Sequence, residues 1–124
     1  MDNNTKLMSI VFSSEENPLF TREYASDIVL FQTFSTVQSN TAIWTPDSGK
    51  SIFLTAFQVS ASVPLTIQLK RGGNNTFLSI ILTSTLATYG ESYPSPIKFN
   101  PDEGISVTTS ASGTVNISLM GYEF

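Results

Sequence analysis

Residues 63–83 decide the fold. They read Val63-Pro64-Leu65-Thr66-Ile67-Gln68-Leu69-Lys70, then Arg71-Gly72-Gly73-Asn74-Asn75, then Thr76-Phe77-Leu78-Ser79-Ile80-Ile81-Leu82-Thr83. In the first run every second residue is apolar. Val63, Leu65, Ile67 and Leu69 are therefore expected on one face of a strand, with Pro64, Thr66, Gln68 and Lys70 on the other. Gly and Asn accept positive φ at little cost, so residues 71–75 read as a hairpin turn. The chain then returns through a second apolar run rich in β-branched and aromatic side chains.

The same grammar of short runs between turn signals extends in both directions. Residues 7–12 (Leu-Met-Ser-Ile-Val-Phe) form a weak first strand. Residues 27–37 place Ile28, Leu30 and Gln32 opposite Val29, Phe31 and Thr33. Residues 41–45 lead through Trp44, expected in the core. Residues 51–60 are apolar on both sides, as in a central strand. Residues 97–99, 104–109 and 113–122 complete the set, the last with Val115, Ile117 and Leu119 inward and Asn116, Ser118 and Met120 outward. Residues 84–96, with Gly90, Pro94 and Pro96, read as the longest loop. No window sustains apolar residues at i, i+3, i+4 and i+7, and the Ser, Thr and Val content opposes helix. The expectation is an all-β chain, an antiparallel β-sandwich of jelly-roll type with eight or nine strands. It would span residues 26–124, with residues 1–25 as an N-terminal arm or edge segment.

Composition agrees. The 124 residues suffice for one domain with its own core, and nine Phe, four Tyr and one Trp are available to pack it. Only 13% of residues are charged, about half the usual share, and 18 Ser and 15 Thr fill the gap. The net charge of −4 and six scattered basic residues offer no basic stripe for phosphates, so no nucleic-acid partner is expected. No signal-peptide pattern follows Met1, and no apolar stretch approaches the length of a membrane span, so no membrane partner and no general secretion are expected. The Asn-x-Ser/Thr matches at Asn3, Asn74 and Asn116 are then coincidental.

The chain lacks His and Cys. The commonest general base, the commonest zinc ligand, the thiolate site and the disulfide are all excluded. Ser48-Gly49-Lys50-Ser51 resembles the end of a phosphate-binding loop, but Trp44 stands where that motif needs Gly, and a strand follows where it needs a helix. Glu15 with Glu16, and Asp102 with Glu103, are the only adjacent acids. Strand neighbours point to opposite faces and turn neighbours are solvated, so neither makes a facing catalytic pair. Asp27 and Glu91 could pair only through the fold. Asp47 with Ser48, and Asp102 with Glu103, are too sparse for a calcium loop. A Ser or Thr nucleophile would need Lys50 or Lys98 as its base. No catalytic residue, metal or cofactor is expected, and the chain reads as a non-enzyme. Tyr89 and Tyr93, around Gly90-Glu91-Ser92, are the residues expected to contact a ligand or partner. Exposed aromatics on sandwich loops stack on sugar rings, which points to a surface glycan; the plainer role is packing over the open end of the sandwich.

Two turns match. Thr45-Pro46-Asp47-Ser48-Gly49 and Asn100-Pro101-Asp102-Glu103-Gly104 each precede a strand and mark two equivalent corners. With the run from Asn40 through Thr55 and the ending Gly113-Thr114-Val115-Asn116-Ile117-Ser118-Leu119-Met120-Gly121-Tyr122-Glu123, they resemble small β-sandwich domains of tailed bacteriophages and prophages, the minor structural or head-decoration proteins. The resemblance covers residues 40–124 and rests on corners and a closing strand. It implies a virion component made in the host cytoplasm: a capsid-decoration or head- or fibre-associated jelly roll. Such a protein would form a homotrimer and contact the major capsid protein or other virion proteins. A carbohydrate-binding, lectin-like module for host-surface adhesion is the alternative. Residues 1–40 depart from the pattern and suit an arm that docks or swaps. Phe53, Phe57 and Val59 alternate with Ile52, Leu54 and Ala56, so one of these sets is expected to need cover from the arm or from a neighbouring subunit.

Overall fold

The computed structural model describes residues 27–124, so the weak strand at 7–12 and the arm at 1–25 lie outside the described residues. Eight strands follow one another: β1 (Ile28–Phe34), β2 (Thr41–Trp44), β3 (Ile52–Ala61), β4 (Leu65–Arg71), β5 (Asn75–Leu82), β6 (Thr88–Lys98), β7 (Ile105–Thr109) and β8 (Val115–Glu123). They form two four-stranded antiparallel sheets, ordered β1-β8-β3-β6 and β2-β7-β4-β5. The chain is a β-sandwich with no helix among the described residues.

The hairpin that decides the fold is present as read. Leu65, Ile67 and Leu69 are buried, and Gly72 and Gly73 turn the chain with φ of 59° and 94°. Val63 departs from expectation. It lies exposed in the bend before β4, because β4 opens only at Leu65. The core lies between the sheets. Ile52, Leu54, Phe57 and Val59 of β3 and Val115, Ile117 and Leu119 of β8 face Leu65, Ile67 and Leu69 of β4 and Ile105 and Val107 of β7. Trp44 is in this core, as expected. Each such aliphatic side chain contributes about 1.5–3 kcal/mol through burial.

The structure corrects the reading of β3. Its pairing with β8 matches Leu54 to Gly121 and Ala56 to Met120, so Thr55 is an extra residue in the ladder. A bulge of one residue reverses the inward phase. Ile52 and Leu54 face inward before it, and Phe57 and Val59 face inward after it. The two apolar sets of the sequence thus become one, and the second apolar face that needed cover does not form. Phe53 alone remains as a large apolar side chain on the outer face of β3. It stacks on Tyr122 at 4.9 Å, with Lys98 Nζ 5.9 Å from its ring. The Thr55 hydroxyl donates to the Met120 carbonyl at 3.0 Å.

The expected loop at 84–96 is also corrected. Residues 88–98 form β6, an edge strand on β3, and take in Ile97 and Lys98 of the separate strand read at 97–99, with Phe99 just beyond its end. The pairing steps from Leu54↔Ile97 to Ala56↔Ser92, so Tyr93 to Pro96 buckle out of the ladder. Proline is tolerated on an edge strand because its missing N–H can face away from the ladder. Pairing with β3 therefore outweighs the Gly and Pro punctuation. The connection that remains at this point is 83–87.

Candidate functional site

Tyr89 and Tyr93 are accordingly strand residues. Both are half-buried and pack against the core, with ring centroids 6.0 and 6.2 Å from that of Phe57. The Tyr89 hydroxyl donates to Glu91 Oε2 at 2.5 Å, and this bond to a carboxylate raises its pKa. Burial, then the charge of Glu91, raises that of Tyr93, whose hydroxyl has no hydrogen-bond partner among the described residues. A shallow, open depression of about 340 Å³ lies alongside, lined by Phe57, Gln58, Gly90, Glu91, Ser92 and Met120.

The carboxylates do not assemble a catalytic pair. Asp27 precedes β1 and Glu91 lies on β6, at opposite edges of one sheet. Three strand spacings separate those edges, roughly 14 Å. Among the described residues, no group of three or more acids stands close enough to hold a metal ion.

Charge is instead sorted along the long axis of the sandwich. The connections 45–51 and 99–104 and the turn 72–74 share one end, and the matching turns meet there. Gly49 N–H donates to Asp102 Oδ1 at 2.6 Å, and Asp102 N–H to the Lys50 carbonyl at 3.0 Å. The Glu123 carboxylate accepts from Trp44 Nε1–H at 2.8 Å and from Asp47 N–H at 3.0 Å. Glu103 accepts from Arg71 at 3.0 Å and from Asn100 N–H at 2.9 Å, and Arg71 lies 4.4 Å above the buried Phe99 ring. With Lys70 and Lys98 beside them and Asp27 at the head of β1, these are nine of the ten charged residues in 27–124. The tenth, Glu91, lies partway along the edge strand β6, opposite Phe57 of β3.

Glu103 supplies a pH test. The Arg71 guanidinium, with a smaller contribution from the Asn100 N–H, holds its carboxyl below the ordinary 4.5. A depressed folded-state pKa stabilises the fold above the unfolded value and ceases to do so as pH falls through the folded one. Glu103→Gln is therefore expected to make the urea midpoint fall less steeply with acid below about pH 4.5. Identical acid dependence in the two proteins would contradict the role given to this pair.

The opposite end is built from 35–40, 62–64, 83–87 and 110–114, and none of these residues is charged. The four segments are bonded into one unit. Gln38 N–H donates to Thr109 Oγ1 at 2.9 Å and accepts through its carbonyl from Thr109 N–H at 3.0 Å. Thr66 N–H donates to Ser110 Oγ at 2.8 Å, Thr114 N–H to Ser62 Oγ at 3.0 Å, and Ala61 N–H to the Ala87 carbonyl at 3.0 Å. On this frame Val37, Val63 and Leu86 are exposed, one from each of three segments. No aromatic residue occurs in the four segments.

No protein-family model matches this chain, and no curated protein matches it. The geometry is then the guide to function. The latched polar groups of the charged end serve its own corners. The uncharged end is a pre-ordered surface of hydroxyls and small apolar side chains. Sequence reasoning missed this division, although its signal is present: successive connections of an antiparallel sandwich alternate between ends, and the charged connections 45–51 and 99–104, with Lys70 and Arg71 beside the turn 72–74, all fall at the same one.

Proposed function

We propose that this protein is a non-enzymatic structural component of a virion, a capsid-decoration or head- or fibre-associated jelly roll that forms a homo-oligomer on the particle. Its partners are further copies of itself and the major capsid protein or other virion proteins, and it is made in the host cytoplasm. Jelly-roll winding belongs to this reading. It is supported by the antiparallel pairs β1 with β8, β2 with β7, β3 with β6 and β4 with β5, the pattern of one long hairpin rolled over into two sheets. Eight-stranded double-sheet jelly rolls recur in capsid and lectin domains. Fold alone does not choose between them.

The observation that carries the choice is the uncharged, hydrogen-bonded end. The cores of protein interfaces are depleted of charge, because a desolvated charge needs a partner. A surface whose described residues carry no charge suits burial against protein. The lectin-like alternative draws less support, since Tyr89 and Tyr93 turn their rings toward Phe57. Immunogold labelling of particles released by the source cells tests the proposal. Label on intact particles is expected; particles without label contradict it.

A further inference from the structure

We infer that the uncharged end is a self-association surface at which two copies meet end to end about a two-fold axis. The inference rests on the self-assembling part of the function proposed above and is independent of the virion.

Symmetry supplies the argument. A two-fold contact brings the same patch of each copy together, so a charge near the axis faces its own like. At the charged end Asp47, Asp102 and Glu103 would meet their own copies. At the opposite end no described residue carries that penalty, because segments 35–40, 62–64, 83–87 and 110–114 contain no Asp, Glu, Lys or Arg. Val37 and Leu86, 52% and 48% exposed, supply apolar area to bury. The bonds Gln38 to Thr109 and Ala61 to Ala87 already order the segments that present them, so little conformational entropy is lost on contact. The segments that carry them also carry hydroxyl side chains, Ser35, Thr36 and Ser39 with Val37 and Thr83, Ser84 and Thr85 with Leu86, which can donate or accept across the axis. A glycan is a poorer fit, for want of an aromatic platform or a carboxylate. A membrane is a poorer fit, for want of Trp, Tyr or basic anchors.

The test is the mass of the full chain by light scattering coupled to size exclusion, over a dilution series and at low and high salt. The wild type is expected as a dimer, or as an even-numbered oligomer if a second contact also forms. Association should not weaken as salt rises, since no ion pair is involved. Val37→Asp and Leu86→Asp each place a like pair across the axis and should raise the dissociation constant at least about tenfold. Ile81→Asp, on an exposed sheet-face position, should leave the mass unchanged, and circular dichroism should find all three variants folded. An even-numbered oligomer indifferent to Val37→Asp and Leu86→Asp would overturn this contact and leave self-assembly standing. So would a trimer, whatever its dependence on these residues. A monomer at every concentration would overturn both the contact and self-assembly.

Discussion

Deletion of Gln58 is expected to destabilise the domain by at least about 1.5–3 kcal/mol, out of the ~5–15 kcal/mol that holds a domain of this size together, whereas deletion of Thr55 should cost far less. Thr55 is the extra residue at which β3 changes phase against β8. Without it Leu54 and Phe57 stand two positions apart, and strict alternation keeps Ile52, Leu54, Phe57 and Val59 all inward. Without Gln58, Phe57 and Val59 become neighbours, and one of them must turn to the outer face. Urea denaturation of the two purified deletion variants checks this. A Thr55 deletion as damaging as the Gln58 deletion would mean that Thr55 is not the extra residue that reconciles the two halves of β3.

Gly121→Ala should cost about 3 kcal/mol or more, through overpacking that cannot relax. Gly121 lies in β8, between Ile28 of β1 and Leu54 of β3. An added methyl would fall inside the van der Waals shell of the Phe53 carbonyl and lie 3.1 Å from the Trp44 ring. The carbonyl is backbone, so the central pair β3–β8 would have to separate. Gly73→Ala is the comparison. Open space surrounds Gly73, and the substitution should cost only the ~1–2 kcal/mol of a left-handed alanine at φ 94°. Thermal denaturation of both variants should find Gly121→Ala much the lower; the reverse order would contradict the close approach.

The parts of the fold legible in the sequence were those governed by local periodicity. Leu65, Ile67 and Leu69, and Val115, Ile117 and Leu119, alternate without interruption, and both strands bury the expected face. Two features depended on partners distant in sequence. The bulge at Thr55 is fixed by the register against β8, about 65 residues away, and alternation within β3 alone assigns Phe57 and Val59 to the wrong face. β6 contains Gly90, Pro94 and Pro96, which locally signal a loop. Its strand character comes from hydrogen bonding to β3.

The candidate site was less legible for the same reason. Tyr89 and Tyr93 stood out as loop aromatics, and the pairing that turns them onto Phe57 cannot be read from their own segment. The uncharged end could have been found. Strand order was sufficiently clear to sort the connections by end, and the charges divide with them: Asp47, Lys50, Arg71, Asp102 and Glu103 at one end, Ser and Thr with Val37, Val63 and Leu86 at the other. The signal lies in alternation between connections rather than in any one motif.

Amide hydrogen exchange at low and high protein concentration tests most directly the claim that the uncharged end is the working surface. Protection at 35–40 and 83–87 is expected to rise with concentration, while exchange at 45–51 and 99–104 stays constant. Concentration-dependent protection confined to 45–51 and 99–104, or none at either end, would contradict it.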